Sequence, residues 1–582
     1  MSLPHSELNA SILYRVQILD PIQHYYQVEL VQNSEKETLT FVMPSWTPGS
    51  YMIRDYSTHL HKFSAFDGRN DTELFWEQIG LHTWKVPNPS GVIKLKYIIY
   101  AFEDFTVRTN HLESQFGFIN PCAFFLYEES SLQLPSIVQF ETNSFFSKIY
   151  SSLPRTNEEM VFFSRHYDEL FDSPFHLTNE NSLNFQFEGN HYELLVEGDV
   201  SFEFKEKLLE DIKRIVYTEN DWMNDHPNPY YLFIVNLSQS TYGGLEHSAC
   251  SVNYFPPEHI DEEGEYKKLL ELLAHEYFHL WNVKRIRPIA LGPFDYQIPN
   301  LTRELWIAEG ITSFCDIYFL LLTGHITKNE YFERLAEDIA SLEETSAEDW
   351  MSLEESSFTA WTKYYKRNSN SQNITVSYYL KGALLAFCMN AFLLYNTEGQ
   401  KSIQDVMRSI YQEYAIKKNR GITKQDFFDA VQTETGLNLK TEFDQHLIAR
   451  RKLPVSDYLY LMGLEFLKED PISDLGFKTK EKAGNVFVSK IYQRSLQQTT
   501  SFQIEDEIIA VNGRRVNRNL FEKMEKKFRP NEKVLFTIAR NGKLLEILTE
   551  TQKTFKTKKI VPLQTMSDLQ RKIQNQFLLE IG

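Results

Sequence analysis

Apolar and polar residues alternate with a period of two along Ser11–Ile18, Tyr25–Val31 and Ile93–Tyr100, the pattern of strands buried on one face. Turn-forming pairs punctuate them at Pro48-Gly49, Asp67-Gly68 and Pro87-Asn88-Pro89. Residues 1–175 are therefore expected to form an N-terminal β-sandwich-like domain. Two further strands, Leu183–Phe187 and Tyr230–Val235, precede a change to helical periodicity. Helices are predicted over 266–286, 302–323, 328–345, 376–395, 402–415 and 424–435, and strands followed by a run of helices give an α+β domain over 176–457. Short strands return at Asn485–Val488, Asp506–Gly513 and Val534–Ile538, with one helix at Asn519–Lys527, which delimits a third domain over 458–551. The tail, 552–582, is basic at first and then amphipathic from Ser567 to Leu579. The fold class is multidomain α+β.

Composition narrows the function classes. The 582 residues carry a net charge of −19, which argues against nucleic acid or an anionic membrane as partner. The most apolar run, Gly382–Tyr395, is too short to span a bilayer and begins beside Lys381. The start, Met1–Glu7, lacks a basic segment followed by an apolar one, so no signal peptide is expected. Cys122, Cys250, Cys315 and Cys388 are scattered without paired spacing and read as reduced core residues. A cytoplasmic chain without membrane insertion is the expectation.

The chemistry concentrates at His275-Glu276-Tyr277-Phe278-His279. Histidines four apart on a helix present their rings on one face, where both can bind one tetrahedral zinc. Glu276, next to the first, is placed to act as general base toward the attacking water. A catalytic zinc takes three protein ligands and keeps one open position. Glu309 lies in an apolar helical context where an unpaired carboxylate is costly, and Glu304 competes with it for the third place. Asp316, seven residues beyond Glu309, falls on the same helix face and can accept the outer N–H of a ligand histidine. Two polar-aromatic loops, Pro44–Tyr51 and Arg108–His111, either pack as turns or shape a substrate cleft.

Together, His275–His279 followed by Trp281-Asn282-Val283-Lys284-Arg285-Ile286-Arg287-Pro288, and Trp306-x-x-Glu309-Gly310-x-Thr312, resemble the glycyl aminopeptidase family of gluzincins, relatives of aminopeptidase N that bear a PDZ domain. Pro44–Tyr51 and Tyr167–Pro174 resemble that family's N-terminal part. The resemblance implies a thermolysin-like catalytic domain in which His275, His279 and Glu309 bind one zinc per chain and Glu276 is the base. Gly243-Gly244-Leu245-Glu246-His247 is similar to the motif whose glutamate holds the substrate's free amine, and flanking glycines allow close approach of a peptide. Tyr378-Tyr379-Leu380-Lys381-Gly382 resembles the pattern that supplies the oxyanion donor, implying Tyr379, with Tyr378 as its neighbouring alternative. Residues 458–551 resemble a PDZ domain through Leu475-Gly476-Phe477 and Asp506–Gly513. The chain departs from the pattern by carrying Ser501, Phe502 and Glu505 where glycines are usual.

The implied activity is zinc-dependent removal of an N-terminal residue, small ones such as Gly or Ala favoured, from peptides with a free N-terminus. A peptide ligand of the PDZ groove is the other expected partner. Two other readings are an endopeptidase of the same fold and a PDZ-bearing scaffold with a vestigial metal site.

Overall fold

A computed structural model describes residues 11–578 apart from 103–105, 142–143, 157, 159, 238–240, 259, 468–470, 494–500 and 555–558. The N-terminal segment Met1–Glu7, residues 555–558 of the basic tail and Leu579 lie outside the described residues. The chain forms two compact units, one of residues 1–285 with 290–300, the other of 286–289 with 301–582.

The first unit begins with the alternating strands. Ile12–Asp20, Tyr25–Asn33 and Val92–Tyr100 pair antiparallel within a seven-stranded sheet, each burying every second side chain. Rather than two sheets, three share one core: the seven-stranded sheet and two of four strands surround Tyr14, Tyr26, Phe41, Tyr97 and Phe124. Buried phenols there find carbonyl partners, as Tyr14 does on Leu126 and Tyr97 on Phe124. A five-stranded sheet follows in the order Leu183–Phe187, Asn190–Glu197, Tyr230–Leu237, Cys250–Phe255, Gly243–Glu246. Its middle three strands are parallel and its edge strand Gly243–Glu246 is antiparallel. Helices Phe202–Met223 and Glu263–Phe278 belong to the same unit.

The second unit is helical up to Val455–Leu461 and strand-rich beyond. The predicted helix over 302–323 is a π-helical turn, Trp306–Gly310, running into Ile311–Leu322. The one predicted over 376–395 starts late, at Leu380. The predicted helix over 402–415 is α-helical from Ile403 to Ile410 and widens to a π-helix over Tyr411–Lys417. Phe477–Lys482, Asn485–Ile491, Glu507–Val511, Lys533–Arg540 and Lys543–Glu550 then form a sheet beside Arg518–Glu525, around a core that includes Phe502 and Phe536. The amphipathic tail is the helix Asp568–Phe577, opened by a Ser567–Gln570 capping box. It buries Phe577 against the Tyr318 ring at 4.8 Å. All four cysteines are buried free thiols, and no helix among the described residues is long and apolar enough to cross a membrane.

Candidate active site

The helix expected over 266–286 stops at Phe278 although no glycine or proline intervenes. His279 is its C-cap. Beyond it the hydrogen-bond ladder turns irregular: Trp281 N–H donates to Phe278 O, and Lys284 N–H to His279 O. Val283 takes φ 147°, a conformation that a β-branched residue adopts only under strain. The result is local and chemical. The Asn282 carbonyl turns back onto His279, whose Nδ1 lies 2.6 Å away. A carbonyl oxygen only accepts, so Nδ1 carries the proton and Nε2 keeps its lone pair. The Nε2 atoms of His279 and His275 stand 3.1 Å apart, close to the separation of two nitrogen ligands on one tetrahedral zinc (about 3.3 Å for bonds of about 2.0–2.1 Å). Ring types, tautomer and spacing therefore fit a zinc ion.

Glu276 and Glu246 are each 5% exposed. One carboxylate oxygen of each and a ring nitrogen of His279 lie within 4.8 Å of one another. Two buried carboxylates this close repel unless a cation stands with them. The edge strand brings Glu246 here, and its glycines make the approach fit. A Cβ on Gly244 would fall 2.1–2.4 Å from Oε1, Cδ and Cγ of Glu276. Above the strand, Gly49 of the Pro44–Tyr51 loop has φ +84°, and a Cβ there would fall 2.6 Å from both carboxylate oxygens of Glu246. That loop is fixed by Trp46 Nε1–H donating to Asp295 O and Ser45 N–H to Tyr296 O. Arg108 donates to Gly244 O at 3.1 Å, while its own carbonyl accepts from Tyr56 and Asn120.

Behind Glu246 lies an ion network. Asp172 accepts from Lys284 Nζ at 2.8 Å, from the Ser248 backbone N–H at 2.8 Å, and stands 3.1 Å from His247 Nδ1. Burial alone would raise the Asp172 carboxyl, but the Lys284 ammonium and His247 outweigh it and hold it well below the usual range. Burial likewise disfavours the Lys284 charge, and Asp172 with Glu246 more than restores it.

In the second unit, Glu309 sits on the π-helical turn and is 2% exposed. Gly310, next to it, meets Gly382 so closely that a Cβ on either would fall within 2.7 Å of the other's Cα. This glycine contact is what brings the turn carrying Glu309 against the start of Leu380–Asn396, where Tyr379 is the N-cap. Burial, then the Glu309 charge, then neighbouring tyrosines keep the Tyr379 phenol protonated far above its ordinary range. Tyr379 retains partial exposure, whereas Tyr378 is fully buried against Tyr364 at 4.8 Å. Glu304 uses its carboxylate locally, accepting from Thr302 Oγ1 and Arg303 N–H. Asp316 is 6% exposed on Ile311–Leu322 and accepts from the Ile317 N–H.

In the first unit, His275, His279, Glu276, Glu246, Gly243 and Gly244 thus come from one helix end and one adjoining edge strand. Three residues escaped the sequence reading: Asn282, whose carbonyl rather than a carboxylate fixes the His279 tautomer, and Asp172 and Lys284. The last two do lie in the motifs Tyr167–Pro174 and Trp281–Pro288, which is the signal that could have found them.

The model of the M61 glycyl aminopeptidase family matches residues 268–385, and that of the peptidase M61 N-terminal domain matches residues 13–179. Among curated proteins none matches the chain. A crystal structure of an aminopeptidase N family protein from Idiomarina loihiensis has 24% identity and a TM-score of 0.90, over 97% of this chain and 100% of that one. The fold is thus shared along almost the whole chain. A variant of the M1 zinc metallopeptidase from Deinococcus radiodurans aligns at 12% identity and TM-score 0.47, over 76% of this chain and 95% of that one. The same variant bound to a Tyr-Ser-Ala substrate gives 13% and 0.45, over 76% and 94%. Residues 268–385 are thus similar to the M61 glycyl aminopeptidase family, and residues 13–179 to the M61 N-terminal domain.

Proposed function

We propose that the chain is a zinc-dependent aminopeptidase in which His275, His279 and Glu309 hold one zinc ion, Glu276 is the general base, Tyr379 donates to the oxyanion and Glu246 anchors the substrate's α-ammonium. The reading rests above all on the paired Nε2 atoms, 3.1 Å apart, with two buried carboxylates beside them. When bound, zinc polarises the scissile carbonyl and makes water a nucleophile at neutral pH. Glu276 removes the proton of the attacking water and returns it to the leaving amine. The Tyr379 phenol hydrogen-bonds the oxygen on which negative charge develops. Glu246 takes the free N-terminus and so limits attack to the first peptide bond, with Gly243 and Gly244 leaving room for the peptide backbone. Asp316 is assigned to the outer N–H of His275, since Asn282 already serves His279.

Residues 458–551 are read as a PDZ domain that takes a peptide by strand addition. Several features support this. Gly476 has φ 75° in the Leu475–Phe477 loop, Tyr492 N–H closes onto its carbonyl, and Phe477–Lys482 is an edge strand linked to the neighbouring helix by Arg518 on Thr479 at 2.7 Å. Glu505 adopts the left-handed φ of 69° that glycine would favour there, and Phe502 fills the core instead.

Metal analysis combined with hydrolysis of glycyl, alanyl and leucyl reporters tests the proposal. One zinc per chain, loss of turnover with a chelator and recovery with zinc are expected, with the small N-terminal residues favoured. Zinc-loaded protein that cleaves none of them, or cleaves them equally well after chelation, would refute it.

A further inference from the structure

The buried network behind Glu246 performs no step of the proposed reaction, yet its residues join the two elements that matter most. Asp172 is the C-cap of the short helix Tyr167–Phe171. One of its oxygens accepts from Lys284 Nζ at 2.8 Å and stands 3.1 Å from His247 Nδ1, and the other accepts from Ser248 N–H at 2.8 Å. His247 and Ser248 directly follow Glu246 at the end of the edge strand. Lys284 lies in the irregular turn after the histidine helix, and its N–H donates to the carbonyl of His279. Asp172 thereby ties the far end of the Glu246 strand to the turn that ends at His279. His247 is 3% exposed, Lys284 is largely shielded from solvent and Asp172 is partly exposed, so most of the tie is held away from water. Gly49 also packs against Glu246, so closely that a Cβ there would fall 2.6 Å from both carboxylate oxygens.

From this juxtaposition we propose that Asp172, through Lys284, His247 and Ser248, is a positioning residue that sets the distance between the ammonium anchor Glu246 and the histidine pair. That distance decides how many residues separate the substrate's N-terminus from the bond cut, so the clamp gauges the removal of a single residue. The inference rests on the amine-anchor reading of Glu246 and adds to it the device that holds the anchor in register. The chemistry it serves is recognition of a primary ammonium at a fixed span from a carbonyl.

Binding is measured by calorimetry in zinc-loaded Glu276→Gln protein, where turnover is stopped, with glycyl-alanyl-alanine and with acetyl-alanyl-alanine, which differs only by lacking the amine. Asp172→Asn alone strands the Lys284 charge in the interior and threatens folding. The double variant Asp172→Asn/Lys284→Met removes both charges together and is the one to test. With the clamp intact, the free amine should bind at least tenfold more tightly than the acetyl peptide. In the double variant that ratio should fall toward one, with zinc content and melting temperature retained. Adding the double variant to Glu246→Ala should change the ratio no further, because the clamp acts through Glu246. A ratio that survives the double variant, or a further fall in the Glu246→Ala background, overturns the clamp. A ratio that survives Glu246→Ala alone overturns the anchor reading, and the clamp with it.

Discussion

Gly244→Ala acts on Glu276, the proposed general base, without removing a charge. Gly244 has no positive φ, so its backbone accepts alanine. The new Cβ, however, would stand 2.1 Å from Oε1, 2.3 Å from Cδ and 2.4 Å from Cγ of Glu276. Ordinary contact begins near 3.4 Å. Because the overlap starts at Cγ, rotating the terminal carboxylate does not relieve it, and the side chain must withdraw by about 1 Å. A displacement of that size in a reacting group costs on the order of 100-fold in rate. Gly244→Ala should therefore lose about 100-fold in kcat while binding one zinc and melting somewhat lower than the parent because of the overlap. Steady-state kinetics on a glycyl anilide, metal analysis and a thermal melt measure all three. A kcat within about threefold of the parent, or a crystal structure of the variant with Glu276 unmoved, would refute the reasoning. Gly243→Ala is the informative contrast. Nothing crowds its Cβ, but its φ is 145°, so it should lower stability by about 1–3 kcal/mol through backbone strain.

Replacing the proposed base, Glu276→Gln, should leave zinc binding intact and lower kcat by about 10²–10⁴-fold, checked by single-turnover assays. Tyr379→Phe should lower kcat by about 10²–10³-fold with KM nearly constant, whereas Tyr378→Phe should act mainly on stability; a kinetic loss in Tyr378→Phe with none in Tyr379→Phe would reverse their roles. His446 provides a pH test of stability. Burial first, then Arg451 and Lys381, push its imidazole down to about 4 from an ordinary 6.5. As pH falls the unfolded chain binds the proton first, so the stability of the neutral ring is complete above 6.5 and is lost between 6.5 and 4. His446→Gln should flatten that part of the stability–pH curve by up to about 3 kcal/mol, read from urea unfolding at several pH values.

What the sequence revealed and what it hid divide along a physical line. Period-two alternation marked Tyr25–Asn33 and Val92–Tyr100 because those strands bury one face only. Residue type and spacing marked His275, Glu276 and His279 because a helix repeats every 3.6 residues whatever surrounds it. The point where that helix stops was invisible, since no propensity between Phe278 and Pro288 forbids its continuation. The tertiary setting ends it, at the expense of a strained Val283, and thereby frees the Asn282 carbonyl for His279. The start of Leu380–Asn396 was misplaced for a similar reason: Ser377 Oγ accepts the Leu380 N–H and leaves Tyr379 at the helix mouth rather than within it.

Glycines were the least legible of all. Read along the chain, Gly49 belongs to a turn and Gly244 to a strand that any small residue could continue. Only the fold shows that each faces a carboxylate, Gly49 that of Glu246 and Gly244 that of Glu276. The hydrogen atom in place of a side chain is then part of the chemistry, because it lets main chain and carboxylate share a volume from which a methyl group would exclude one of them. The same reasoning applies to Asp172. As one acid among 79 acidic residues it is marked only by its place in the Tyr167–Pro174 motif, yet placed between Ser248 and Lys284 it determines where Glu246 can stand relative to His279. A buried charge is tolerated only with its partners in place, so the motifs around Asp172, His247 and Lys284 have to change together or not at all. That coupling predicts that exchanging any one of the three will fail where exchanging the Asp172–Lys284 pair succeeds.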